Sequence, residues 1–258
     1  MSKGLLYRQF NYNGFIHLKN VFSKGDVEIF NSSAKRLSNL PEVRYQYMKY
    51  YETCNKTNER ILARMENFVN NNEFTILNRI INLKVTHIVE EVIEKRMILF
   101  KDKINWKLPG GGGFEPHQDH DAWSDFPPTK FITAAIFIDN STLENGCLQV
   151  AENMHKSGIL PNNNGCISNE ITDNFHWIPL ITSPTDLVLF DSYTPHMSKL
   201  NNSDKSRRAF YLTYNLRDEG NFYSEYFKKK RIEFPPDFER DDTEININSK
   251  YNLANPIN

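Results

Sequence analysis

Residues 15–21 alternate apolar and polar side chains, which is the period of a half-buried strand. Just beyond, Ser23 and Asp26 stand three apart, the spacing of a capping box, and predict a helix running to about residue 37. Between residues 78 and 95 the apolar positions Ile81, Val85, Ile88, Val89 and Val92 recur at threes and fours, which predicts a helix with one buried stripe. After about residue 96 the texture changes. Short runs rich in β-branched and aromatic residues, separated by Gly, Pro, Asn and Asp, predict strands over 97–108, 131–138, 148–150, 186–190 and 207–214. Aromatics at helical spacing over 222–231 predict one more helix, stopped by Pro235 and Pro236. Residues 239–258 are polar and rich in Asn, and read as a tail that wraps the surface or frays.

Helices first and strands later predict a mainly β protein of the α+β class: a jelly-roll core under a cover of N-terminal helices. The expected plan is one domain over residues 1–258. A helical cover and first strand take up about 1–95, the jelly roll about 96–217, and a helix with its tail the remainder. Hydrophobic residues make up 39% and charged residues 24% of the chain, which suits a folded globular protein and argues against disorder. Net charge is −1, so no field favours nucleic acid or an anionic membrane, and any anionic ligand must be met by local groups. Cys54, Cys147 and Cys166 are odd in number and widely spaced, which points to buried thiols rather than a disulfide framework or zinc knuckle. No signal-like run opens the chain, and no stretch approaches the roughly 20 apolar residues of a membrane span. A cytoplasmic protein without a membrane partner is expected.

The chemistry concentrates at two places. His117 and Asp119 are two apart, and in extended backbone that period points both side chains the same way, so they can grip one metal. His196 follows the apolar run 187–190 after a turn-like stretch, and supplies a third ligand at a strand end. Two imidazoles and a carboxylate on one face leave open positions, as in non-heme Fe(II) oxygenases. An isolated H-x-D is common by chance. Here its weight rises because a basic strand follows, in which Arg207 and Arg208 point to opposite faces, so only one can enter the barrel. An arginine fork there suits the far carboxylate of a dicarboxylate bound to the metal.

With these residues in hand, the chain resembles the phytanoyl-CoA dioxygenase family of 2-oxoglutarate oxygenases, which are built on a double-stranded β-helix. The likeness runs from Asn13-Gly14-Phe15 through Lys107-Leu108-Pro109-Gly110 and the H-x-D. It continues through Glu144-Asn145-Gly146-Cys147-Leu148 and 186–196 to the basic strand. The resemblance implies Fe(II) on His117, Asp119 and His196, with 2-oxoglutarate and O2 as co-substrates and hydroxylation of an unactivated C–H bond. In that family the arginine for 2-oxoglutarate lies eleven residues after the second histidine, which selects Arg207. Relatives that halogenate lack the carboxylate, so Asp119 favours hydroxylation. Trp123 resembles an aromatic that flanks the co-substrate, although it equally suits a core position. Thr133 and Lys107 are further candidates for the co-substrate. Where relatives read Gly-Ser-His-Lys, this chain has Asn153-Met154-His155-Lys156, and His155 is read as a supporting residue rather than a ligand. His120 and Asp121 read as entrance residues.

Residues 191–196, 212–215 and 226–240 resemble the branch that hydroxylates 2-aminoethylphosphonate at the carbon next to phosphorus. Asn105, Lys107, Asn215 and Arg217 are available to such a substrate, which would be a small molecule. Another small metabolite, such as an amino acid or acyl thioester, is the alternative substrate. A non-catalytic metal-binding barrel and a zinc hydrolase are rivals from other classes, but neither gives Arg207 a role. Residues 110–113 lack the Lys-Ser/Thr of a phosphate loop and are expected to form a mobile entrance loop.

Overall fold

The computed structural model describes residues 3–240 together with Ser249 and Tyr251. Its strands are β1 (Phe15–Leu18), β2 (Met48–Thr53), β3 (Arg60–Glu66), β4 (Met97–Lys107), β5 (Phe114–His117), β6 (Phe131–Phe137) and β7 (Leu148–Ala151). There follow β8 (Asn162–Asn163), β9 (Cys166–Ile167), β10 (Trp177–Pro179), β11 (Leu187–Asp191), β12 (His196–Ser198) and β13 (Arg207–Leu216). The helices are α1 (Lys3–Asn13), α2 (Lys24–Asn39), α3 (Thr75–Arg79), α4 (Thr86–Ile93), α5 (Asp119–Trp123), α6 (Asn169–Thr172) and α7 (Tyr223–Glu233).

Two antiparallel sheets face one another. The larger runs β1-β11-β6-β13-β4-β3-β2 and the smaller β10-β7-β12-β5-β9-β8. Strand β6 is buried along its whole length because the large sheet is covered on both sides. One face carries Ile132, Ala134, Ile136, Leu187, Leu189, Phe210 and Leu212 against Phe30, Leu37, Val89 and Val92 of the helices. The other face carries Ala135, Phe137, Val188, Phe190 and Ala209 against Leu148 and Val150 of the small sheet. A third cluster, mostly aromatic, lies beneath α7 and includes Phe100, Trp123, Phe131 and Tyr226.

The capping box at Ser23 and Asp26 is formed, and α2 extends two residues past the predicted end. The helix expected over 78–95 is observed as α3 and α4 joined by a π-helical stretch, Ile80–Val85. That wider turn places Ile81, Val85, Val89 and Val92 on the buried line and leaves Ile88 half-buried at its flank.

The N-terminal cover is not helical throughout. β2 and β3 pair with each other, and β3 pairs with β4, so the large sheet gains two strands at one end, with β2 as its edge. Their alternation was hidden because the inward positions of β3 are Arg64 and Glu66, an ion pair at 3.0 Å that is almost wholly buried. The tail lies mostly outside the described residues, but Tyr251 is 3% exposed and packs on Tyr226, so at that point the polar tail turns inward. Residues 110–113 are buried in a packed turn rather than a mobile loop. A Cβ on Gly113 would lie 2.7 Å from the Ser198 carbonyl oxygen, and only glycine permits that approach. All three cysteines are free, with Cys54 and Cys147 buried. Among the described residues no helix is long and apolar enough to cross a membrane.

Candidate metal centre and active site

The small sheet builds the centre. β12 lies between β7 and β5, and His196 is the direct register partner of His117. Gln118 continues the extended backbone, and Asp119 opens the short helix α5, so the carboxylate turns back over the two rings. Asp119 Oδ1 lies 3.9 Å from His117 Nε2 and 3.9 Å from His196 Nε2. One ligand atom from each of the three residues falls within 4.8 Å of the others, a spacing that one metal ion can bridge. Gln118 points the opposite way, donating to the carbonyls of Gly158 (2.9 Å) and Tyr193 (2.7 Å), which anchors the turn.

Both rings are oriented from behind. His117 Nδ1 donates to the Glu115 carbonyl at 2.6 Å, and His196 Nδ1 to the Thr194 carbonyl at 3.0 Å, which leaves each Nε2 lone pair free. Burial, and then the charge of His196, push His117 down to about 3, against the opposing pull of Asp119. Burial likewise lowers His196. Asp119 is raised by burial, but His196, Lys101, His117 and Lys103 together outweigh that, and its carboxyl stays below the ordinary value. Two neutral imidazoles and a carboxylate are the forms that ligate a metal.

A cavity of about 430 Å³ opens beside the triad, walled by Lys101, Lys103, Asn105, Thr133, Phe190 and Tyr211 among others. A second, of about 410 Å³, shares Lys101, Lys103, Phe114, His117 and Asp119 with it and extends to Trp123, Tyr226, Lys230 and Tyr251. β13 sends Arg207 inward and Arg208 outward. Arg207 is 1% exposed and donates to the Tyr211 hydroxyl at 3.2 Å, while its Nε has no hydrogen-bond partner among the described residues. Arg208 is engaged elsewhere, in a fork on Asp139 with bonds of 2.9 and 2.7 Å. The buried, incompletely paired guanidinium and the two-imidazole, one-carboxylate donor set fit a metal-chelated dicarboxylate.

The other residues singled out in the sequence separate into two groups. Thr133 lies on the cavity wall, with its hydroxyl 3.0 Å from that of Thr213, and Asn105 lies there with an unpartnered Oδ1. Trp123 lines the second cavity, packed on Phe100 and Phe131.

Lys107 is buried rather than exposed, but its ammonium is taken up by Ser198 Oγ at 2.8 Å and by the Lys199 carbonyl. Asn215 does not reach the cavity. It lies two residues past Thr213, roughly 7 Å along the strand, and donates to the carbonyls of Leu216 (2.8 Å) and Gly220 (2.9 Å). Arg217 is exposed and lines a separate surface groove. His155 is not at the metal. It contacts the Asn11 carbonyl at 3.2 Å beneath α1. His120, expected at an entrance, is buried and stacks on Tyr193 at 3.9 Å.

The wall residues that were not singled out from the sequence include Lys101 and Lys103. Counting back by twos from Lys107 and Asn105 along the predicted strand would have placed both on the same face.

A family model described as phytanoyl-CoA dioxygenase matches residues 10–209. The chain belongs to this family. It is 39% identical over 252 residues to a 2-aminoethylphosphonate dioxygenase from an uncultured bacterium, with 96% of each chain covered. It is 32% identical over 227 residues to a methylphosphonate hydroxylase from Gimesia maris, covering 88% of this chain and 85% of that one. Among solved structures, EctD from S. alaskensis with 2-oxoglutarate and 5-hydroxyectoine superposes with a TM-score of 0.71 at 17% identity, over 85% of this chain and 77% of that one. At that identity the likeness speaks for the fold: a double-sheet β core with helices, as the strand texture predicts.

Proposed function

We propose that this family member is an iron(II)- and 2-oxoglutarate-dependent dioxygenase that hydroxylates a small organophosphonate such as 2-aminoethylphosphonate at the carbon bonded to phosphorus. The observation that carries the reaction class is the convergence of His117, Asp119 and His196 in a cavity backed by buried Arg207. Near full-length similarity to a phosphonate dioxygenase supports the substrate class.

In this reading the triad holds the metal, and Arg207 holds the far carboxylate of 2-oxoglutarate. Iron with 2-oxoglutarate and O2 supplies the oxidation: one oxygen atom enters the substrate C–H bond, and 2-oxoglutarate leaves as succinate and carbon dioxide. The chain's own part is placement. The Glu115 and Thr194 carbonyls hold each imidazole in the tautomer that presents Nε2. Phe114, Leu148 and Phe190 wall the cavity with apolar surface and exclude water. Thr133, Thr213 and Asn105 add polar groups to the cavity wall that could meet either small molecule. The partner is a small molecule. Absence of nucleic-acid or membrane partners and a cytoplasmic location belong to this reading, supported by the near-zero net charge.

The test is product analysis. The iron-loaded chain with 2-oxoglutarate, air and 2-aminoethylphosphonate should give a new phosphorus NMR signal for the 1-hydroxy product, with equimolar succinate. Turnover of an amino acid or acyl thioester with no phosphonate product would overturn the substrate class and leave the oxygenase class standing.

A further inference from the structure

The cavity beside the triad carries more positive charge than the metal and its co-substrate require. Lys101 and Lys103 lie two apart on the inward face of β4, opposite Thr213 and Tyr211 of β13. Both line both cavities together with His117 and Asp119. Among the described residues Asp119 is the only carboxylate lining either one. A divalent ion, Asp119, Arg207 and a 2-oxoglutarate dianion balance one another, which leaves the two ammonium groups with no carboxylate in direct ion-pair contact among the described residues, Glu66 acting on them only from a distance. A doubly ionised tetrahedral anion would supply that contact.

The other buried cations nearby are already engaged. Lys230 bonds both oxygens of Glu66, at 2.7 and 2.6 Å, and Arg64 takes the same carboxylate at 3.0 Å. Lys107 is held by Ser198 and the Lys199 carbonyl. Among the described residues Lys101, by contrast, has only the Tyr226 hydroxyl, at a long 3.5 Å, and the faces of Trp123 at 4.9 Å and Tyr226 at 5.5 Å. Lys103, among the same described residues, has only the face of Tyr211, at 5.1 Å. Lys101 is buried and Lys103 half-buried, and ammonium groups so enclosed without a contacting carboxylate are costly unless a ligand completes them.

We infer that Lys101 and Lys103 form the seat for the substrate's phosphonate group beside the triad, with Lys101 toward Trp123 and Tyr226 and Lys103 over the ring of Tyr211, while the Arg207 guanidinium takes the co-substrate. Lys101 and Lys103 flank the triad, so an anion held between them presents the carbon bonded to phosphorus to the metal. This seat rests on the phosphonate reading above and specifies how that substrate is held and which carbon reacts.

The experiment is anaerobic calorimetry on the full chain loaded with Fe(II) and 2-oxoglutarate, titrated with 2-aminoethylphosphonate and with methylphosphonate. Lys101→Gln and Lys103→Gln should each weaken phosphonate binding roughly tenfold or more, the worth of a hydrogen bond to a charged group. Lys101→Arg should restore most of the loss at position 101. In the same variants 2-oxoglutarate affinity should move less than about threefold. A second arm needs no variant: the monomethyl ester of methylphosphonate, with one charge removed, should bind wild type roughly tenfold or more weakly than methylphosphonate itself. Phosphonate binding that ignores both substitutions and the ester would overturn the seat alone. An equal loss of 2-oxoglutarate affinity would reassign the lysines to the co-substrate. Wild type that binds no phosphonate would overturn the seat and the phosphonate reading together.

Discussion

His117 and His196 are direct cross-strand partners on β5 and β12, with ring centroids 4.2 Å apart. Strand register therefore sets the metal geometry, and whatever separates these two strands separates the ligands.

His117→Ala or His196→Ala is expected to lower metal affinity by more than about a hundredfold, since even the groups that orient ligands are worth about 10- to 100-fold. Cobalt(II) titration followed by visible absorption measures it. Unchanged affinity in either variant would remove that residue from the ligand set.

Gly113→Ala tests the register argument at a distance from the metal. The new Cβ would meet the Ser198 carbonyl oxygen of β12 at 2.7 Å, and backbone cannot step aside as a side chain can. Overpacking of this kind costs about 1–3 kcal/mol. The variant should lose both thermal stability and metal affinity, where a defect confined to the loop would leave metal affinity unchanged.

The two adjacent arginines should behave oppositely. Arg207→Ala is expected to raise the 2-oxoglutarate Kd by about tenfold or more, because a charge-assisted bond is worth about 1.5–3 kcal/mol. Arg208→Ala breaks its fork on Asp139, a partly exposed pair, and an exposed bond to Asn31 Oδ1. It should cost at most about 1 kcal/mol of stability and leave the Kd unchanged. Binding to the metal-loaded protein, measured by calorimetry, separates the two.

Glu66 carries an acid-sensitive part of the stability. Burial raises its carboxyl, but Lys230, Arg64 and Lys101 outweigh that and hold it down to about 2. A depressed acid contributes stability that is fully present above its ordinary value of 4.5 and is lost as pH falls toward about 2. Denaturation midpoints across that window should decline in the wild type and show a shallower slope in Glu66→Gln. At neutral pH Glu66→Gln should cost about 3–5 kcal/mol, because it leaves Lys230 and Arg64 without their shared charge.

Much of this arrangement was legible along the chain. The strands β4, β6, β7, β11 and β13 were visible as apolar runs between turn residues, and the capping box at Ser23 marked α2. The opposite facing of Arg207 and Arg208 follows from the two-residue period of extended backbone, whereas Asp119 joins His117 by opening α5 rather than by continuing the strand. Local rules suffice for these because each concerns neighbours in sequence.

Tertiary contact decided the rest. β2 and β3 were hidden because Arg64 and Glu66 occupy inward positions where an apolar residue would be expected, and only the approach of Lys230 from α7 makes that burial tolerable. Asn215 shares its strand face with Arg207 and Thr213 yet misses the cavity, since alternation gives direction but not how far along a strand a pocket extends. Lys101 and Lys103 read as ordinary charges in the sequence. They become a site only because β4 lies across from the triad, and because the carboxylates that might have neutralised them are engaged by other groups.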